Sequence, residues 1–411
     1  MLGKRCMEYL KELSQFNEGS NGLTRLFLTK EHASAIALIT KWMENANMSV
    51  TLDEIGNLIG TYHSELTNAP TLMIGSHQDS VINGGIFDGM LGFIVPIVCV
   101  EELSKEKKKL PFNIKVVVFG SEEGTRFKKA YLSSIALRGN LEDSLLFELK
   151  DNDGITLNDA LEEFGLEPKN IKKLKIDESV SDYLEMHIEQ GPVLQHLNSP
   201  VGVVKAINGF RRYSVEINGF AGHAGTLPMD MRRDSLVGAS EIITYIEKKA
   251  LENSDLVATV GKIEVSPGAI NVVPAKTTFT IDIRSGVENN IVQAVEEIST
   301  YIKSICEKRN LQHSIEYITG DAPCECNKKM IDLIGKSIEQ LGLDVYHLNS
   351  GAGHDAQELS KSINIGMIFV RCLNGISHNP DESVSIEDLN VSAKVLLRVL
   401  NNYNKVLCKN I

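Results

Sequence analysis

Apolar positions recur along this chain on two periods, and the period changes mark its elements. In TKEHASAIALITKWMENANM, residues 29–48, apolar residues fall three to four apart, the stripe of an amphipathic helix. Residues 1–48 as a whole read as helical. SVTLDEIGNLIGTYH, 49–63, alternates like a strand pair. TLMIGSH and FNIKVVVFGSEE are short β-rich runs that each end in polar residues, and MLGFIVPIVCVEELSKE between them reads as a helix despite Pro96. Strand, helix, strand is a βαβ unit, and sites in such sheets form at the carboxyl ends of strands. DYLEMHIEQGP and INIGMIFVRCLNGISHNP are further strands that end in polar residues.

Residues 212–322 keep their own rhythm. RRYSVEINGF, LVATVGKIEVS, TTFTIDIRS and QHSIEYIT read as strands; RRDSLVGASEIITYIEKKAL and NNIVQAVEEISTYIKSICEKR read as helices. The order βαββαβ is the split pattern of a ferredoxin-like sandwich. The predicted fold is therefore α/β: a catalytic domain, 1–211 and 323–411, with a mixed central sheet flanked by helices, and an inserted ferredoxin-like α+β domain, 212–322.

A chain of 411 residues exceeds one ordinary core, in keeping with two domains. Its 43% hydrophobic and 23% charged residues fit a soluble globular protein. The formal charge of −12 argues against nucleic acid and acidic membrane as partners, so an anionic substrate needs a local positive centre. Cys6, Cys99, Cys306, Cys324, Cys326, Cys372 and Cys408 are scattered and odd in number, as free thiols are. The N-terminus MLGKRCMEYLKEL lacks a signal-peptide core, and no apolar run spans a bilayer. A cytoplasmic location is the expectation.

The chemistry concentrates in GSHQDSVINGGIFDGMLG, 75–92, where a buried-type strand ends in His77, Asp79 and Asp88 among glycines. Strand or motif ends also present Glu122, Glu123, His187 and His378. Singly, each has a bland reading: Asp88-Gly89 as a turn pair, the glutamates as a solvated loop, His187 as a strand histidine, His378 before Asn-Pro as turn chemistry. Their shared location at strand ends favours a cation site instead. Mixed imidazoles and carboxylates suit zinc, manganese or similar ions, and five donors are enough for two metals bridged by one carboxylate.

GSHQDSV, GGIFDGMLG, SEEGTRF, HIEQGPVL, GHAGTLPM, INVVPAKTTFTIDIR, SGAGHDAQ and GISHNPDE occur in an order that resembles the M20 metallohydrolases. More narrowly, the chain resembles the branch with allantoate amidohydrolase, N-carbamoyl-L-amino acid hydrolase and β-ureidopropionase. The resemblance implies His77 and His187 on one metal, Glu123 and His378 on the other, and Asp88 as the bridge. The ions would be two divalent metals per subunit, zinc or manganese, with cobalt or nickel permitted. Glu122 would be the general base and Asp79 a partner orienting His77. His187 stands where the peptidase relatives carry a carboxylate. Gln195 departs from the usual Glu, beyond the ligand.

The same resemblance implies a homodimer, in which His223 reaches the neighbouring subunit's site and stabilises the oxyanion. Gln190, Asn271, Arg284 and Gly353 match substrate-contact positions, Arg284 and Asn271 those that hold the carboxylate. His354 and Asp355 are weaker candidates that position the site. Taken alone, Arg284 reads equally well as a surface salt bridge and His223 as part of a solvated glycine loop. The implied substrate is a small anionic ureido compound, allantoate or an N-carbamoyl amino acid, with the motifs leaning to allantoate. Metals polarise its poor carbonyl and activate water, while Glu122 moves a proton to the leaving nitrogen. A dipeptidase or aminoacylase is the competing enzyme, against which HIEQGP counts. A non-catalytic binding protein would have lost a ligand or Glu122, and none is missing.

Overall fold

The computed structural model describes the backbone of residues 1–407 and the side chains of residues 1–403; Cys408 lies outside the described residues. The chain divides into two compact units. One comprises Met1–Lys205, Cys326–Leu348 and Gly353–Ile411, the other Ala206–Glu325 and Asn349–Ala352.

The first unit is built on a mixed sheet. Its strands run in the order Ser49–Leu52, Leu58–Tyr62, Asn113–Phe119, Thr71–His77, Val180–Ile188, Asn364–Val370 and Val201–Ile207. The four strands from Asn113–Phe119 to Asn364–Val370 are mutually parallel, and those outside them pair antiparallel. Every residue of Thr71–His77 is buried, which explains a continuous apolar run where a half-exposed strand would alternate. Parallel strands need a crossover, and the buried helix Leu91–Lys105 supplies it. Pro96 lies in this helix; the residue four back, whose carbonyl a proline ring crowds, is Gly92. A Cβ at Gly92 would collide with the Met186 carbonyl and the Ser76 side chain, so glycine lets the helix press onto the two strands that carry His77 and His187. Ile94 in this helix is fully buried, and truncating such a residue to alanine costs about 2–5 kcal/mol.

The first 48 residues are not one helical region. Helices Leu2–Leu13 and Lys30–Asn45 are separated by a loop in which the Asn17 carboxamide accepts the Gly19 and Thr24 N–H groups. This side-chain-to-backbone bonding competes with the helix and ends it. Thr29 then caps the second helix by accepting the His32 N–H.

The second unit has the ferredoxin-like arrangement. Its antiparallel sheet runs Ile263–Ser266, Lys276–Ser285, Gly209–Asn218, Gln312–Asp321. LVATVGKIEVS forms two strands rather than one, Leu256–Thr259 and Ile263–Ser266, both on Lys276–Ser285. Helices Ser235–Leu251 and Glu288–Lys308 cover one face, packing Ile242, Ile246, Ile298 and Ile302 with Val215, Ile217, Phe279 and Ile283. Asp234 caps the first helix through the Leu236 and Val237 N–H groups. Among the described residues no helix is long and apolar enough to cross a membrane; Cys6, Cys99, Cys306 and Cys372 are buried free thiols, and Cys324 and Cys326 are buried.

Candidate metal centre

At the carboxyl ends of the parallel strands of the first unit, the predicted donors converge. His77 is the last residue of its strand and His187 the next to last of its own. Each gives its Nδ1 to a main-chain carbonyl, His77 to Asp79 at 2.9 Å and His187 to Ile188 at 3.0 Å. That bond fixes the tautomer, so in the neutral ring Nε2 is a lone-pair donor. The two Nε2 atoms lie 3.5 Å apart, and Asp88 Oδ1 sits 3.1 Å from that of His187 and 3.7 Å from that of His77. Three acceptors facing one another in a buried space repel unless a cation or protons lie between them. The donor set therefore fits a divalent ion.

Asp88 turns its other oxygen to a second group. Oδ2 is 3.2 Å from His378 Nε2, which is 3.7 Å from Glu123 Oε1. In both groups, His77–Asp88–His187 and Asp88–Glu123–His378, the ligating atoms lie within 4.8 Å of one another. Gly89 has a positive φ of 72°, and a Cβ there would run into the His77 ring. The Asp-Gly pair is thus a turn that also clears room for the imidazole. His378 and Gln190 are non-glycine residues at φ 53° and 57°, uncommon backbone held in place around the cluster.

Surrounding groups lock the donors. Asp79 meets His77 chiefly through its carbonyl, because its carboxylate, 3.5 Å from Nδ1, accepts the Glu122 and Glu123 N–H groups at 2.9 and 3.1 Å. Asp79 therefore aims the two glutamates as much as the histidine. The Gln190 amide donates to Asp88 Oδ2 at 2.9 Å and stands 3.4 Å from His378 Nε2. Gly353 packs against the Tyr131 hydroxyl, where a Cβ has no room.

Three contributors escaped the sequence reading. Ser377 Oγ donates to Asp88 Oδ2 at 2.9 Å, and Glu382 Oε1 accepts the Phe87 and Asp88 N–H groups at 2.8 and 3.0 Å, holding the bridging loop. Glu185 accepts the Ser76 hydroxyl at 2.9 Å and the Ala356 N–H at 3.0 Å. It lies two residues before His187, so strand alternation puts both on one face, a signal that was available. His354 stacks edge-on against His187 with ring centroids 4.5 Å apart, and Asp355 accepts from Ser134 at 2.5 Å.

The electrostatics follow from burial. Burial raises Glu122 well above the usual carboxylate range, aided by the charge of Glu123, while His77 opposes it. Burial also lifts Glu123 to about 7. Asp88 goes the other way, because bonds from His187 and His378 outweigh its burial. The Asp88 bond raises His378 to about 8.

The remaining predicted residues belong to the second unit. His223 is exposed, with Nδ1 accepting the Gly225 N–H at 3.1 Å. It stands opposite Val272 in a short strand pair, so Asn271 is next to its partner in the ladder. Arg284 binds Asp282 through two nitrogens, at 2.8 and 3.0 Å.

The profile of peptidase family M20/M25/M40 matches residues 73–402. The chain is 38% identical to an N-carbamoyl-L-amino-acid amidohydrolase of Pseudomonas sp. (strain NS671), over 96% of each chain. It is also 38% identical to an allantoate deiminase of Arabidopsis thaliana, over 98% of this chain and 82% of the relative. Among solved structures, an amidase of the hydantoinase/carbamoylase family from Burkholderia multivorans superposes with a TM-score of 0.88 at 30% identity, covering 97% of both chains.

Proposed function

The chain belongs to peptidase family M20/M25/M40, a hydrolase family, and from that premise we propose that it is a two-metal amidohydrolase acting on the ureido C–N bond of a small carboxylate. The observation that carries the reading is Asp88, whose two oxygens face two separate donor groups, one with His77 and His187 and one with Glu123 and His378. His187 adds to it, since the cluster has an imidazole where a peptidase would carry a carboxylate. When bound there, zinc or manganese, or else cobalt or nickel, would supply Lewis acidity for the ureido carbonyl and lower the pKa of a water toward neutrality.

The chain's own residues do the rest. Glu122, aimed by Asp79 through its N–H, takes the proton of the attacking water and delivers it to the leaving nitrogen. Ammonia departs, and the carbamate left behind decomposes to carbon dioxide and an amine. Arg284 and Asn271 hold the substrate carboxylate, with Gln190 and Gly353 contacting the substrate. His223 acts from a second copy in a homodimer and stabilises the oxyanion.

Allantoate and N-carbamoyl-L-amino acids each carry a ureido group beside a carboxylate, and relatives named for both share 38% identity with the chain. Allantoate is the first reading and the N-carbamoyl amino acid the second. Ammonia release from allantoate, a panel of N-carbamoyl-L-amino acids and dipeptide controls, with and without manganese or zinc, separates them. Dipeptide cleavage without ammonia from any ureido compound would overturn the reading.

A further inference from the structure

On the ladder between Gly209–Asn218 and Lys276–Ser285, Asp282 lies opposite Arg212 and Arg284 opposite Phe210. Strand alternation puts all four on the sheet face away from the helices, since Val215, Ile217, Ile281 and Ile283 fill the core on the other side. A cavity of about 530 Å³ opens there, lined by Arg212, Asp282, Arg284, Thr259, Thr280 and Ile318.

The polar contacts of this quartet form a fixed pattern. Asp282 accepts Arg284 Nε at 2.8 Å and Nη2 at 3.0 Å. It also accepts Arg212 Nε at 2.8 Å. Arg284 Nη1 donates to the Gly351 carbonyl at 3.0 Å. A guanidinium has five N–H groups. Three of those of Arg284 are engaged here, which leaves one on each terminal nitrogen. The Phe210 ring lies under both cations, 4.8 Å from Arg212 Cζ and 5.7 Å from Arg284 Cζ, within cation–π range. Two guanidiniums and one carboxylate leave one net positive charge, on a chain whose formal charge is −12.

We propose that Asp282 is a positioning residue for carboxylate recognition, fixing Arg284 with its terminal N–H groups open to a ligand. Arg212 is its counterweight. With Arg284 alone, Asp282 would cancel the charge that a carboxylate needs; with Arg212 added, the site keeps one positive charge, matched to a monocarboxylate. The cavity beside the pair takes the ligand's anionic end. The inference rests on the reading above of Arg284 as the residue that holds the substrate carboxylate.

The test uses zinc-loaded Glu122→Gln full-length protein, so that binding is read without turnover. Calorimetric titration with N-carbamoylglycine is compared with titration by N-carbamoylglycinamide, which lacks the charge. Adding Asp282→Asn should weaken the carboxylate about tenfold or more, because hydrogen bonds to charged groups are at stake, and leave the carboxamide within about twofold. Equal weakening of both ligands would make Asp282 merely structural and overturn the proposal. Unchanged or tighter carboxylate binding, or no carboxylate binding by the parent, would also overturn it. If Asp282→Asn does not fold, Arg212→Gln serves instead. It brings the local charge to zero and should weaken the carboxylate severalfold, and an unchanged affinity would overturn the proposal. Absence of ammonia release by the wild-type enzyme is a separate measurement and refutes the hydrolase reading, not this one.

Discussion

The two units present their predicted site residues in opposite ways. In the first, His77, Asp88, Glu122 and His187 are buried and each is held by neighbours from different strands and loops, while His378, half-open to solvent, is the one exposed donor of the five. In the second, His223 on a short strand pair and Asn271 just before its partner strand are exposed, and Arg284 is partly open. A buried constellation of this kind is rigid before any ligand arrives, because moving one donor strands the others without partners. Exposed residues acquire a defined environment only when something covers them. Metal binding should therefore be a property of the single chain, and substrate handling should depend on assembly.

The largest effect expected on that contrast is from Asp88→Ala. It removes the carboxylate common to both donor groups, so both ions should be lost on dialysis and activity should drop to background. His378→Ala should deplete one ion more than the other. Metal analysis of the dialysed variants decides, and two retained ions in Asp88→Ala would break the bridging assignment.

Glu122→Gln separates chemistry from metal holding within the buried half. The shape is kept and the proton acceptor is gone, so turnover should fall by about 10²–10⁴-fold. Metal content should stay at the parent level. A near-normal kcat in the metal-replete variant would remove Glu122 from the base role.

The exposed half is probed by complementation. His223→Ala and Glu122→Gln chains, each nearly inactive, are mixed under conditions of subunit exchange. If His223 serves the neighbouring chain, one site of the mixed dimer carries both defects and the other none, and activity returns toward half of the parent value per mixed dimer. Verified exchange without recovery would confine His223 to its own chain.

What could be read from the sequence follows the same division. His77 and Glu122–Glu123 were legible because each ends an apolar run with residues that a strand interior would not tolerate. Which histidine pairs with which carboxylate is not local information, and it came from resemblance. Glu382, 294 residues from the Asp88 amide it accepts, has no sequence signal linking the two. The 14–29 break between the first helices was missed because Asn17 acts through its side chain, which periodicity does not register. The split of LVATVGKIEVS has a sequence trace, because the apolar phase moves from Leu256, Ala258 and Val260 to Ile263 and Val265 across Gly261 and Lys262, and pairing against Lys276–Ser285 shows the two strands.

The smallest effect concerns stability, and it turns on His32, again in the buried half. Its Nδ1 accepts the Leu28 N–H at 2.9 Å, and its Nε2 is buried without a partner. Burial holds its pKa down to about 3, and the charges of Arg25 and Arg126 push the same way. The ordinary value is about 6.5. Between these values the unfolded chain binds the proton and the folded chain does not, so stability is complete above about pH 6.5 and falls as pH drops toward 3. At pH 5 the loss should be about 2 kcal/mol, at 1.36 kcal/mol per unit below the ordinary value. Gln at this position keeps an acceptor for the Leu28 N–H and does not titrate. His32→Gln should therefore lose about 2 kcal/mol less than the parent between pH 7 and pH 5, with other titrating groups cancelling in the difference. Trp42, the single tryptophan, is buried and stacked on Tyr9 at 4.1 Å, so its fluorescence in urea reports on the first unit. Equal pH dependence in the parent and His32→Gln would show that the buried imidazole carries no such charge penalty.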